Sequence, residues 1–144
     1  MTDRRILLDR FVASWHARDV AGVLAMFADG FEYRSASTHS ASAEAMIAFA
    51  QEMWRGTPDE RLELVNVIVQ GDRVAAEVRT TATHSGQLDL AGLSFPATGR
   101  SLAIMSVWVL TFAGDHIATW NEYGSLKSWV EQMGATVTIT PHDA

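Results

Sequence analysis

The chain has 144 residues, 48% of them apolar, with a formal net charge of −6 and no cysteine. That length supports one domain with a sizeable core and excludes two. An acidic balance without a Lys/Arg cluster argues against a nucleic-acid partner. The lack of Cys removes disulfides and thiol nucleophiles, and it fits a reducing compartment. No apolar run is long enough for a signal h-region or a membrane span, so a cytoplasmic protein with no membrane partner is expected. Five Trp and six Phe against two Tyr suggest a core of large rings with a cavity between them.

In chain order, Leu7, Phe11 and Trp15 recur at steps of four, widened by Leu8 and Val12, which predicts a helix over 4–17. Asp19 reads as the N-cap of a short second helix over 19–28, with Val20, Val23, Leu24 and Phe27 on its stripe and Asp29-Gly30 closing it. Phe31-Glu32-Tyr33 reads as a short strand and 35–43 as a small, polar loop. Met46, Phe49, Ala50 and Met53 place a third helix over about 43–55, stopped by Gly56-Thr57-Pro58.

The remainder reads mainly as sheet. Gly71-Asp72 between 62–70 and 73–85 is a hairpin signal, and 86–99 reads as a long connection. Two alternating apolar arms, Leu102–Phe112 and Ile117–Tyr123, then flank a turn. A three-residue loop, 114–116, sets Trp108 opposite Glu122 and Leu110 opposite Trp120; a two-residue loop would turn Trp108 to the other face. A short helix over 125–133 ends at Gly134, and 135–144 is a β-prone tail. The whole is one α+β domain, 1–144, with helices packed on one face of a strongly curved sheet and a cavity at its open end.

No phosphate loop, dinucleotide fingerprint, zinc-protease motif, nucleophile elbow or calcium loop occurs, and the five His lack ligand spacing, so no metal or cofactor is expected. Glu122 is the best acid/base candidate, since a carboxylate between Trp120 and Trp108 would be partly desolvated. It could equally be a sheet-edge Glu paired with Lys127. Arg79 is either half of an exposed cross-strand ion pair or a guanidinium anchoring a pocket. Tyr33, at the mouth of the polar loop, is either core packing or a hydrogen-bonding group of the site.

Several segments resemble the SnoaL-like polyketide cyclases, within the nuclear-transport-factor-2-like cone fold. They are Thr83-His84-Ser85-Gly86, Phe95-Pro96-Ala97-Thr98-Gly99-Arg100, Gly114-Asp115-His116-Ile117, Trp120-Asn121-Glu122 and Gln132-Met133-Gly134. The N-terminal FVASWHARDVAGVLAMFADGF has the fold's common order as well, so the likeness spans residues 4–134. It implies a strongly curved mixed sheet with helices on its concave face, a homodimer through the opposite face, and no cofactor. It also implies that Glu122 holds the position of the cyclases' acid/base Asp, while Trp108 stands where they carry a His and Tyr33 where they carry an Asn. The chain is similar, more distantly, to limonene epoxide hydrolases, in which case Glu122 matches one Asp and Arg79 fits the Arg only with a one-residue shift.

The expected activity is proton abstraction with aldol-type cyclisation or isomerisation on a small apolar carbonyl compound. Glu122, Tyr33 and Arg79 are the candidate catalytic residues, and Trp108, Trp120, Trp15, Met105 and Phe49 the candidate pocket. A ligand-binding protein without turnover and an epoxide hydrolase are the alternatives.

Overall fold

The computed structural model describes residues 2–36, 40–90 and 92–143, so residues 37–39 of the expected polar loop lie outside the described residues. In order the elements are α1 (Arg4–His16), α2 (Val20–Ala25), β1 (Phe27–Arg34), α3 (Ala43–Gly56), β2 (Arg61–Gln70), β3 (Arg73–Thr83), β4 (Leu88–Leu90), β5 (Leu93–Phe95), β6 (Ser101–Ala113), β7 (His116–Gly124) and α4 (Leu126–Gln132). The side chains of Asp3, Asp19, Ser42 and Ser125 cap the four helices by accepting backbone N–H groups of the first turn.

Five strands form one mixed sheet in the order β1-β7-β6-β3-β2, antiparallel except for the β1–β7 pair. The expectation of a strongly curved sheet is corrected here: the sheet is neither strongly curled nor closed. Its edges, β1 and β2, stay apart as the two ends of the order. Three further expectations change. The second helix stops at Ala25, and Phe27 lies on β1, its ring stacked on Phe31 at 3.8 Å. The 86–99 connection contains the hairpin β4–β5. The tail, 135–143, carries no helix or strand.

Alternation sorts the long strands into two faces. Val74, Ala76, Val78 and Thr80 of β3, with Leu102, Ile104, Ser106, Trp108, Leu110 and Phe112 of β6, are buried on one of them. Phe11 of α1 packs edge-on against both Trp108 and Trp120, at 6.0 and 5.4 Å. The other face exposes Met105 and Val107 of β6 together with Ile68 of β2.

The β6–β7 register pairs Trp108 with Glu122 and Leu110 with Trp120, the pairing expected of a three-residue loop, but by another route. The turn is a two-residue one, Gly114-Asp115, because Ala113 pairs with His116. The register then slips between Phe112–Ile117 and Thr111–Thr119, leaving Ala118 as an extra residue, a β-bulge. The bulge restores by one residue what the shorter turn removes.

Candidate active site: a pocket with two carboxyl groups

On β7, two-residue alternation carries Trp120 and Glu122 to the helix-covered face, next to Ser106 and Trp108 of β6 and Tyr33 of β1. Glu122 is held from three sides. Its Oε1 accepts from the Tyr33 hydroxyl at 2.8 Å. Its Oε2 accepts from Trp108 Nε1 at 2.7 Å and from Ser106 Oγ at 3.3 Å. Donors on both oxygens fix the carboxylate's rotamer. Burial, followed by the negative charge of Glu122, pushes the Tyr33 phenol far above its ordinary range, so this hydroxyl stays a donor. Lys127, the alternative partner of Glu122, is instead paired with Glu131 at 2.6 Å.

A cavity of about 100 Å³ opens beside this carboxylate. Phe49, Met53, Leu62, Leu90, Ile104, Trp120, Leu126 and Trp129 supply its apolar walls, and Tyr33, Ser35, Thr80, Ser106, Ser125, Glu60 and Glu122 its polar atoms. Among the described residues, no Lys, Arg or His lines it. A second hollow of about 330 Å³, which Arg34, Asn121 and Tyr123 help to line, shares Ser35, Ala36, Glu122 and Gly124 with the first. Glu122 therefore belongs to both. Trp120 Nε1 is buried and has no hydrogen-bond partner among the described residues.

Glu60 is the residue that sequence reasoning missed. It sits just before β2, is 5% exposed, and lines the same cavity. Its Oε1 accepts from Trp15 Nε1 at 2.7 Å. The loop that carries it is pinned on both sides. Arg18, in the left-handed region at φ 56°, donates to the Pro58 carbonyl at 2.9 Å, and Asp59 accepts from the Thr83 N–H and hydroxyl at 2.7 and 2.8 Å. His16 Nε2 accepts the Leu62 N–H at 2.8 Å just beyond. Burial pushes the Glu60 carboxyl above its ordinary value, against the Trp15 hydrogen bond and Arg18, which pull it down; the charge of Glu122 adds to the rise.

The structure thus brings Glu122, Tyr33, Trp120 and Phe49 to one cavity, with Trp108 behind Glu122. Trp15 does not line it; that indole holds Glu60. Arg79 and Met105 are cross-strand partners on the opposite face of the sheet. Arg79 lies 3.8 Å from Glu63 in an exposed ion pair, and Met105 is exposed, because odd positions of both strands point away from the helices. Among the described residues, no three His, Asp or Glu side chains are grouped so that they could hold a metal ion, and no helix is long and apolar enough to cross a membrane.

An open mixed sheet backed by helices, with a small pocket carrying carboxyl groups near one end, defines an α+β domain of the nuclear-transport-factor-2-like class. The chain belongs to the SnoaL-like domain family, whose model matches residues 8–120. Three solved structures show the same fold. AclR from Streptomyces galilaeus superposes with a TM-score of 0.80 at 22% identity, covering 95% of this chain and 84% of its own. A candidate SnoaL-like polyketide cyclase from Jannaschia sp. CCS1 gives 0.81 at 22% identity and 93% coverage of both chains. IdmH from Streptomyces antibioticus, described as a candidate polyketide cyclase, gives 0.79 at 15% identity, covering 93% of this chain and all of its own. No curated protein matches the sequence.

Proposed function

We propose that this protein is a cofactor-independent acid–base enzyme that removes a proton next to the carbonyl of a small, uncharged, largely apolar substrate, leading to aldol-type cyclisation or isomerisation. The observation that carries the reading is the Glu122 carboxylate, held by Tyr33, Trp108 and Ser106 at the edge of a cavity walled by rings and aliphatic side chains. A base needs a fixed direction, which these donors supply, and apolar walls to hold the substrate, which the cavity supplies. Tyr33, whose hydroxyl already donates its hydrogen bond to Glu122, is a positioning residue. The described residues of the lining include no Lys, Arg or His to receive a carboxylate or phosphate, which favours a neutral ligand. The resemblance to proteins described as candidate polyketide cyclases points the same way.

Two copies are proposed to pair through the exposed apolar face around Met105, Val107 and Ile68, away from the pocket. Arg79, on that same outer face, leaves an epoxide hydrolase of the Asp–Arg–Asp kind without its arginine. A ligand-binding protein without turnover is the second reading, supported by the fact that both oxygens of Glu122 already have partners within the fold.

Deuterium uptake by 2-tetralone in heavy water, followed by proton NMR, tests the reading with an apolar ketone that has exchangeable α-protons. Glu122→Gln keeps the shape and removes the base, and exchange should fall about 10²–10⁴-fold. Exchange in Glu122→Gln at the wild-type rate refutes Glu122 as the base. Saturable binding of the ketone by wild type with no exchange above buffer selects the binding-only reading.

A further inference from the structure

With Tyr33 committed to Glu122, the base has no partner yet to protonate the substrate's oxygen. Enolisation needs one, because an enolate left bare in a low-dielectric cavity is costly. The cavity holds a second carboxyl group that nothing above employs. Glu60 is almost wholly buried, yet it lines the cavity. One of its oxygens is fixed by Trp15 Nε1 at 2.7 Å, and the other makes no hydrogen bond with any described residue. Trp15 is itself buried, and Arg18 and Asp59 pin the loop, so the group is aimed by the fold.

We propose that Glu60 is the proton donor of the pocket, working opposite Glu122 on a neutral carbonyl compound. This rests on the reading of Glu122 as the base.

The exchange of protons closes. Glu122 takes the proton from the α-carbon, and that C–H bond's electron pair becomes the enol double bond. The carbonyl π pair moves onto oxygen, which takes the proton of Glu60. In an aldol closure the enol carbon then attacks a second carbonyl. The new alkoxide takes the proton held by Glu122, and the enol O–H returns its proton to Glu60 as the first carbonyl reforms. Both carboxyl groups end as they began, and no oxidant or metal enters.

Two carboxyl groups in one pocket divide such labour when their surroundings differ. Glu122 receives three donors, whereas Glu60 receives one and is more deeply buried. The charged and titratable groups acting on Glu60 are Arg18 after α1 and Glu122 on β7, with His16, Asp59 and Arg61 flanking the same loop. Burial, the leading influence, makes Glu60 keep its proton to higher pH than a free Glu.

The test compares wild type, Glu60→Gln and Glu122→Gln in the 2-tetralone exchange assay across pH, beside infrared titration of the carboxyl band. Glu60→Gln retains an oxygen for Trp15 and should lower exchange about 10²-fold. Wild type should lose rate as pH rises through a group that titrates above 4.5, the ordinary value, and Glu60→Gln should lack that limb. The infrared band that disappears in Glu60→Gln should titrate with the same midpoint. Trp15→Phe, which removes the bond that lowers the Glu60 value, should move the limb to higher pH. Wild-type exchange in Glu60→Gln with exchange lost in Glu122→Gln overturns the donor and keeps the base. Wild-type exchange in Glu122→Gln overturns the base reading as well. A Glu60 band titrating at or below 4.5 overturns the donor independently of any activity.

Discussion

Replacing Tyr33 by Phe removes one oxygen and leaves the ring, which is 3% exposed and packs edge-on against Trp120 at 5.1 Å. What disappears is a 2.8 Å hydrogen bond to a carboxylate. Bonds of that kind contribute about 1.5–3 kcal/mol, and for a chain of this size the loss corresponds to a drop of about 4–10 °C in Tm. The pH dependence adds a second signature. Burial raises the folded phenol above its ordinary value of 10.0, so the folded state keeps a proton that the unfolded chain gives up. The contribution is complete below pH 10 and is lost as pH rises beyond it, at about 1.4 kcal/mol per pH unit. Tyr33→Phe has no such group. The stability advantage of wild type over the variant should therefore stand at its full value at pH 7 and be roughly halved by pH 11. Urea unfolding of both proteins at pH 7, 9, 10 and 11 measures it, with the exposed Tyr123 common to both. A difference under about 0.5 kcal/mol at pH 7, or one that does not narrow above pH 10, would refute the placement of this hydroxyl on Glu122.

Two further outcomes follow from neighbouring features. Trp120→Phe deletes a buried N–H that has no partner among the described residues, while keeping a ring in the cluster. The penalty of an unpaired buried donor is about 1–3 kcal/mol and offsets the lost ring area, so calorimetry should show stability within about 1 kcal/mol of wild type; a loss of 3 or more would mean the N–H is bonded after all. Met105→Glu puts a charge on the exposed apolar face, on the opposite side of the sheet from Glu122, and sedimentation should report a dimer for wild type and a monomer for the variant, with 2-tetralone exchange retained; a wild-type monomer would remove the proposed interface.

What the sequence made legible was local periodicity and pairing. Leu7, Phe11 and Trp15 announce α1, and Gly71-Asp72 announces the β2–β3 hairpin, because each signal lies within one or two turns of chain. The pairing of Glu122 with Trp108 was expected only of a three-residue loop, and it holds with a two-residue turn because of the bulge at Ala118, which no local signal announced. Strand alternation could have sent Arg79 and Met105 outward, but strand period gives two faces without saying which one the helices cover. Glu60 was invisible for a different reason. Its burial depends on Trp15, 45 residues earlier, and on Arg18 clamping a loop whose own sequence, Pro58-Asp59-Glu60, reads as solvated turn. The β4–β5 hairpin did carry a signal, the alternating Leu88-Asp89-Leu90 and Leu93-Ser94-Phe95 on either side of a positive-φ Gly92. The openness of the sheet depends on how far the edges are kept apart, a property of the whole assembly.

The extra residue at Ala118 works as a frame correction in the sense a reading frame is corrected. Upstream of it, the tip of the hairpin is set by Gly114-Asp115 and by Thr2 and Arg4, which hold Asp115 and the Gly114 carbonyl from the start of the chain. Downstream lie Trp120 and Glu122, whose inward direction the pocket requires. A one-residue change on either side of Ala118 alone would invert every later side chain of β7 and turn the carboxylate out to solvent. Two such changes, one in the turn and one in the strand, cancel. The length of the tip and the chemistry of the pocket are therefore inherited as a parity: each can vary, provided the other varies with it.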